Sequence, residues 1–149
     1  MSTEFSPGMG YCVLKELGTG TYGRATLCSS ANQEAVVVKE VCCQNPSVQL
    51  AVFREIKILS ELRHPFIVRY IDYFLLPERI SIVMEYADGG DLSELIFRAR
   101  RNLQTIPQRK IISWFAQLAT AVKYLHDKRI LHRDIKSSNV STFYFFRSF

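Results

Sequence analysis

Ile130-Leu131-His132-Arg133-Asp134-Ile135-Lys136-Ser137-Ser138-Asn139 is the stretch that decides how the rest of this chain is read. It carries a carboxylate at Asp134, a cation two residues on at Lys136, and an amide five residues on at Asn139. Such a loop suits phosphoryl transfer. The carboxylate faces an attacking hydroxyl, the cation neutralises charge on the group in transit, and the returning amide oxygen reaches Mg²⁺ beside the phosphates. A helical pattern leads into the loop: Thr105 and Pro107 open it, and Ile111, Phe115, Leu118, Val122 and Leu125 recur every three or four residues until about Lys128. Beyond it, five of the nine residues Ser141–Phe149 are aromatic, with no turn residue and no helical period.

Upstream, Asp91 to about Arg101 reads as a shorter helix after the polar hinge Asp88-Gly89-Gly90-Asp91. Before the hinge the pattern is mostly strand. Tyr11–Leu17 begins a strand that breaks at Gly18 and resumes at Ala25–Cys28; Ala31-Asn32-Gln33 turns the chain; Ala35–Lys39 is a continuous apolar run suited to a buried strand. Asn45-Pro46 starts a helix to about Leu62 with Val52, Ile56 and Leu59 on one face, closed by Pro65. Val68–Leu75 and Ile80–Glu85 are two further strands about a turn at Pro77-Glu78. A five-stranded antiparallel sheet with one helix, followed by helices alone, gives an α+β chain of two lobes.

Composition narrows the function. With 149 residues, 48% apolar and 22% charged, the chain can bury a core and is not globally disordered. Its net charge of +5 comes from scattered basic residues, apart from Arg98, Arg100, Arg101 and Arg109-Lys110. No aromatic-basic interleaving accompanies them, so nucleic acid is not an expected partner. Cys12, Cys28, Cys42 and Cys43 form no C-x-x-C pair and have no metal spacing with the histidines, which reads as reduced thiols in an intracellular protein. No apolar run is long enough for a membrane span, and Met1–Gly10 lacks a signal-peptide core, so no membrane partner is expected.

Gly18-Thr19-Gly20-Thr21-Tyr22-Gly23 admits two architectures. In a dinucleotide fold the glycines open a helix; here the third leads into a strand, so the loop is a hairpin tip suited to covering phosphates with backbone N–H groups. Lys39 ends a buried strand, and Glu55 on the next helix is its candidate partner, with Glu61 as the rival. Met84-Glu85-Tyr86-Ala87 runs into the hinge, where the backbone of Glu85 to Ala87 can bond an adenine edge and Met84 fill the space behind it. Asp91 is either a ribose acceptor, the N-cap of the next helix, or both.

Taken in order, Gly18-x-Gly20-x-x-Gly23, Val37-Val38-Lys39, Glu55, Met84-Glu85-Tyr86 and His132-Arg133-Asp134 through Asn139 resemble the eukaryotic protein kinases over about residues 11–140. Lys136 in Asp-x-Lys-x-x-Asn is similar to the serine/threonine branch. Lys39-Glu40-Val41, Tyr86–Leu92, Trp114–Leu118 and Ile130–Ser137 resemble the NIMA-related (Nek) kinases more narrowly. The resemblance implies a protein serine/threonine kinase that moves the ATP γ-phosphate to Ser/Thr hydroxyls of a protein substrate with Mg²⁺. It implies catalytic roles for Asp134, Lys136, Lys39 and Glu55, a metal ligand at Asn139, and nucleotide contacts at Leu17, Gly18, Gly20, Gly23, Ala25, Lys39, Met84, Glu85, Ala87 and Asp91. The corresponding divisions are a flexible N-terminus 1–10, a small lobe 11–85, a hinge 86–91, the start of a large lobe 92–140, and an atypical aromatic tail 141–149. A cytoplasmic location follows, with cytoskeletal or nuclear association in some relatives.

The family pattern is not followed to its end. No Asp-Phe-Gly, activation segment or Ala-Pro-Glu comes after Asn139 in these residues. Leu59, Tyr70 and His132 match three members of the family's regulatory stack, and the fourth is absent. Ser141 stands where the family has a large apolar floor under adenine. One apolar face of the Ile111–Leu125 helix is expected to be uncovered. The expectation is therefore a truncated catalytic domain with a complete small lobe and an incomplete large one. The alternatives are a catalytically inactive nucleotide-binding or decoy fragment, or a chain with no stable function.

Overall fold

The computed structural model describes residues 10–20 and 23–142; expectations for Met1–Met9, for Thr21 and Tyr22 at the glycine-loop tip, and for the aromatic residues beyond Thr142 lie outside the described residues. Along the chain run β1 (Cys12–Gly20), β2 (Gly23–Ser29), β3 (Ala35–Cys42), α1 (Pro46–Glu61), β4 (Tyr70–Leu76), β5 (Arg79–Glu85), α2 (Leu92–Arg101), α3 (Gln108–Asp127) and a single 3-10 turn, Ser137–Asn139. The contacts divide them into two units, one of residues up to Arg63 with Val68–Tyr86, the other of His64–Ile67 with residues from Ala87 on.

In the first unit the five strands form one antiparallel sheet in the order β1-β2-β3-β5-β4. Strand alternation sends β3 side chains to both faces. Val36 and Val38 join Cys28 and Val83 on one face, packed against Tyr11, Val13, Ile71 and Phe74. Val41 joins Ile80 and Ile82 on the other, against Val52 and Ile56 of α1. Burial on both sides explains why Val36–Val38 of β3 is apolar without interruption. Burial also pushes the Cys28 thiol up from its ordinary value, and all four cysteines are free.

Two boundaries differ from the sequence reading. β1 does not break at Gly18, because Gly18, Thr19 and Gly20 still pair with Ala25, Arg24 and Gly23. β4 begins at Tyr70, since His64–Ile67 is a turn closed by the Ile67 N–H donating to the His64 carbonyl at 3.2 Å. Asn45 caps α1 by accepting from the Ser47 N–H at 2.9 Å, with Pro46 at the first helical position.

Within the second unit, α2 lies against the Ser137–Asn139 turn. α3 buries Ala121 and Leu125 in its C-terminal half and leaves Ile111, Ile112 and Phe115 exposed in its N-terminal half. The His64 ring lies 5.0 Å from Tyr124 of α3, and the Lys128 Nζ stands 5.3 Å from the centre of the same tyrosine. No helix among the described residues is long and apolar enough to cross a membrane.

Candidate functional site

In the first unit the glycine loop is the β1–β2 hairpin. Its glycines are not equivalent. A Cβ on Gly18 meets nothing within 4 Å, whereas one on Gly23 would fall 1.7 Å from the main-chain oxygen of Glu40, and Gly23 has φ +139°. The third glycine therefore lets β2 approach β3, and the first leaves space over the sheet. Leu17 is exposed beside it, and Ala25 pairs with both Gly18 and Lys39.

Lys39 shares a sheet face with Val41, Ile80 and Ile82, the face on which α1 packs. Glu55 falls one helical turn from Val52 and next to Ile56, so it stands at the margin of that contact. The Lys39 Nζ lies 3.1 Å from Glu55 Oε1, with the two side chains 34% and 47% exposed. The pair forms with Glu55, not Glu61. Met84 packs against the α1-side cluster. The Glu85 N–H donates to the Arg69 carbonyl at 2.9 Å.

The second unit holds the acidic loop. Arg133, next to Asp134, adopts φ +64°, a left-handed conformation that a non-glycine residue takes at some cost. The Asp134 N–H donates to His132 Nδ1 at 3.3 Å, which fixes that ring nitrogen as an acceptor. Lys136 Nζ lies 3.0 Å from Asp134 Oδ2. Asn139 Nδ2 donates to the main-chain oxygen and to Oδ2 of Asp134, both at 2.8 Å. The Lys136 hydrogen bond, then that of Asn139, holds the Asp134 carboxyl below the usual aspartate range.

Asp91 caps α2, its Oδ1 accepting from the Glu94 N–H at 2.8 Å and from the Ser93 hydroxyl. The Ser93 hydrogen bond is the larger cause of its lowered pKa. A short ladder ties this cap to the acidic loop. The Leu92 N–H donates to Val140, the Gly89 N–H to Thr142 and the Thr142 N–H to Gly90, at 2.8, 2.9 and 2.8 Å, with Asp91 bridged to Ser141. Gly89 has no room for a side chain, since a Cβ there would lie 2.5 Å from Thr142 Oγ1.

Residues 11–142 match the family model for the protein kinase domain. The chain belongs to the protein kinase family. It is 38% identical over 133 residues to human serine/threonine-protein kinase Nek5, covering 87% of this chain and 18% of that protein. It is 36% identical to human Nek11 and 37% identical to mouse Nek3, again over 87% of the chain, and covers 21% and 25% of those proteins. The chain thus spans a quarter or less of the length of these curated relatives.

The family generally uses ATP and Mg²⁺. The donor chemistry of the kinase loop suits the ion: Mg²⁺ takes hard oxygen ligands and keeps several waters. Because both Asn139 Nδ2 bonds go to Asp134, the amide turns its oxygen away from that carboxylate. Among the described residues no three His, Cys, Asp or Glu side chains gather as a metal set.

Sequence reasoning missed Ser93, Arg133, Thr142 and the His64–Tyr124 contact. Ser93 had a signal, a hydroxyl two residues past a capping aspartate. Arg133 and Thr142 act through the backbone, which side-chain type does not report.

Proposed function

We propose that this chain supplies the nucleotide-clamping and catalytic-loop parts of an ATP-dependent protein serine/threonine kinase of the Nek type. The observation that carries the reading is the cluster on Asp134, where a carboxylate, the Lys136 ammonium and the Asn139 amide meet within 3.0 Å. Phosphoryl transfer asks for those three groups: one to hold the substrate hydroxyl, one to balance charge, and one to reach the metal. With its pKa depressed, Asp134 orients the hydroxyl and takes its proton late. Asn139 Oδ1 is the chain's ligand for Mg²⁺, which when bound neutralises charge at the phosphates.

In the first unit, Lys39 held by Glu55 addresses the α- and β-phosphates, and the Gly18 to Gly20 backbone covers them. Met84 and Glu85 are that unit's residues for the adenine side; in the second unit, Asp91 is a candidate ribose acceptor as well as a cap.

A second reading, nucleotide binding without transfer, is favoured by the single metal-ligand amide among the described residues. Titrating a fluorescent ATP analogue with Mg²⁺ into the 149-residue chain tests the shared part. Saturable binding weakened about tenfold by Lys39→Met is expected, and no binding would overturn both readings. Transfer to Ser/Thr peptides, lost in Asp134→Asn, then selects the first reading; binding without transfer selects the second.

A further inference from the structure

On the glycine hairpin one carboxylate holds both legs. Glu16 Oε1 accepts from the Thr19 hydroxyl at 2.8 Å, and Glu16 Oε2 lies 2.8 Å from the Arg24 guanidinium. Thr19 stands on β1 and Arg24 on β2, directly opposite each other beside the tip. Glu40 also faces Arg24 across the sheet, yet its ion pair is with Arg79.

A bulge makes this arrangement possible. In a regular strand, residues three apart point to opposite faces. Glu16 pairs with Thr26 and Gly18 with Ala25, so β1 carries one residue, Leu17, that β2 does not match, and the alternation resets there. Glu16, Thr19 and Arg24 thereby share a face, the one to which Val36 and Val38 of β3 contribute. Gly18, Ala25 and Lys39 share the other. The three-membered brace is therefore built on the back of the sheet, away from Lys39.

Little else holds this end of the hairpin. β3 supports β2 only as far as Arg24, and β1 is an edge strand, so its leg from Gly18 to Gly20 is paired with β2 alone. Glycines add backbone freedom and no side chain to restrain it. Glu16 and Arg24 are 46% and 48% exposed, and such a pair adds little to global stability. Local opening, in contrast, is set by local contacts, and a flap ordered beforehand loses less freedom when a ligand binds. We propose, resting on the reading of this hairpin as a phosphate flap, that Glu16 is a positioning residue for the nucleotide phosphates: through Thr19 and Arg24 it holds the hairpin in the form that covers them.

The test titrates two ligands into the whole chain, a fluorescent ATP analogue with Mg²⁺ and a fluorescent adenosine analogue that lacks phosphate. Glu16→Ala should weaken the first about threefold to fivefold and leave the second unchanged. The double variant Thr19→Val with Arg24→Met should lose as much. Adding Glu16→Ala to that double variant should lose nothing more, because the three side chains act as a unit. A through-space effect of charge has another signature: removing the carboxylate would tighten a triphosphate, and removing the guanidinium would loosen it. Amide exchange at Thr19 should quicken in Glu16→Ala while the thermal midpoint holds. No binding of the ATP analogue by the unaltered chain would overturn the flap reading and the brace together. Binding by the unaltered chain, with equal or tighter binding by Glu16→Ala, an equal loss for the adenosine analogue, or additive losses, would overturn the brace alone.

Discussion

Asn139 spends both hydrogens of its amide on Asp134, one on the main-chain oxygen and one on the carboxylate, each at 2.8 Å. The loop is closed by that pair, and the Lys136 ammonium approaches the same carboxylate oxygen at 3.0 Å. Both bonds favour the ionised form, so the carboxyl titrates below an ordinary aspartate. Carbon-13 titration of the Asp134 carboxyl should find its midpoint there. Lys136→Met should move the midpoint up further than Asn139→Ala, because the lysine bond is the larger cause. The reverse order would show that the amide governs the loop. An acidic limb of any activity resting on Asp134 should rise with the same variants, since protonation comes at higher pH once its partners are gone.

Gly23 and Gly18 separate a folding role from a ligand role. A methyl on Gly23 collides with the Glu40 main chain, so Gly23→Ala should destabilise by more than about 2 kcal/mol. Gly18→Ala meets open space in a strand, and its stability should stay level or rise by up to about 1 kcal/mol. If backbone at Gly18 lies against phosphate, nucleotide affinity falls in that variant without loss of fold. Thermal melting and analogue titration on the same samples check both halves.

Lys39 and Glu55 form a half-exposed ion pair, and such pairs contribute less than about 1 kcal/mol to stability. A double-mutant cycle with Lys39→Met and Glu55→Gln should show that small coupling in urea melts. For nucleotide affinity the same cycle should be strongly non-additive, because one lysine presented by one carboxylate acts as a unit. Additive effects on affinity would mean that Glu55 does not present the lysine to ligand.

Much of the fold was legible because its cues are local. Apolar runs between turn residues marked the strands, Asn45-Pro46 marked the start of α1, and Asp91 stood where an N-cap belongs. The continuous run in β3 announced burial on both faces. The turns at Ala31–Gln33 and Pro77-Glu78 were legible, but the positive φ that the non-glycine residues Gln33, Glu78, Leu103, Arg129 and Arg133 adopt was not. The assignment of His64–Ile67 to the second unit was equally hidden, because it depends on an imidazole meeting Tyr124 far along the chain. In the candidate site, spacing pointed to Lys39 with Glu55 and to Asp134 with Asn139. That Gly23 is held by a backbone oxygen of Glu40 follows from strand register, which the sequence does not print.

Asp91 has two proposed tasks, and Asn separates them. Asparagine caps a helix about as well as aspartate, so Asp91→Asn should keep most of α2's stability at neutral pH, while Asp91→Ala should lose about 1 kcal/mol. The folded-state pKa of Asp91 is lowered, chiefly by the Ser93 hydroxyl. Its contribution is therefore present above the unfolded aspartate pKa and fades as pH falls through the folded one. Asp91→Asn should flatten the acid side of the stability profile. A fall in nucleotide affinity at neutral pH in that variant, with the cap intact, would assign the carboxylate a ligand task as well.

Arg129 closes α3 in a conformation that suits glycine. Its N–H donates to the His126 carbonyl at 2.8 Å and the Ile130 N–H to Leu125 at 2.9 Å, the paired bonds of a Schellman end, with Arg129 at φ +61°. An L side chain there costs about 1–2 kcal/mol in the folded state. Glycine removes that strain but gives the unfolded chain more freedom, which returns about 0.4–1 kcal/mol of it. Arg129→Gly should therefore stabilise the chain by about 0.5–1 kcal/mol, read as a higher urea midpoint at unchanged slope. Arg129→Ala keeps the Cβ and should not. If both variants were equally stabilised, the gain would come from removing a charge near Lys128 and not from the backbone. Because Ile130 is the first residue of the loop that carries Asp134, a firmer end to α3 should also slow amide exchange at Ile130 relative to Ser137.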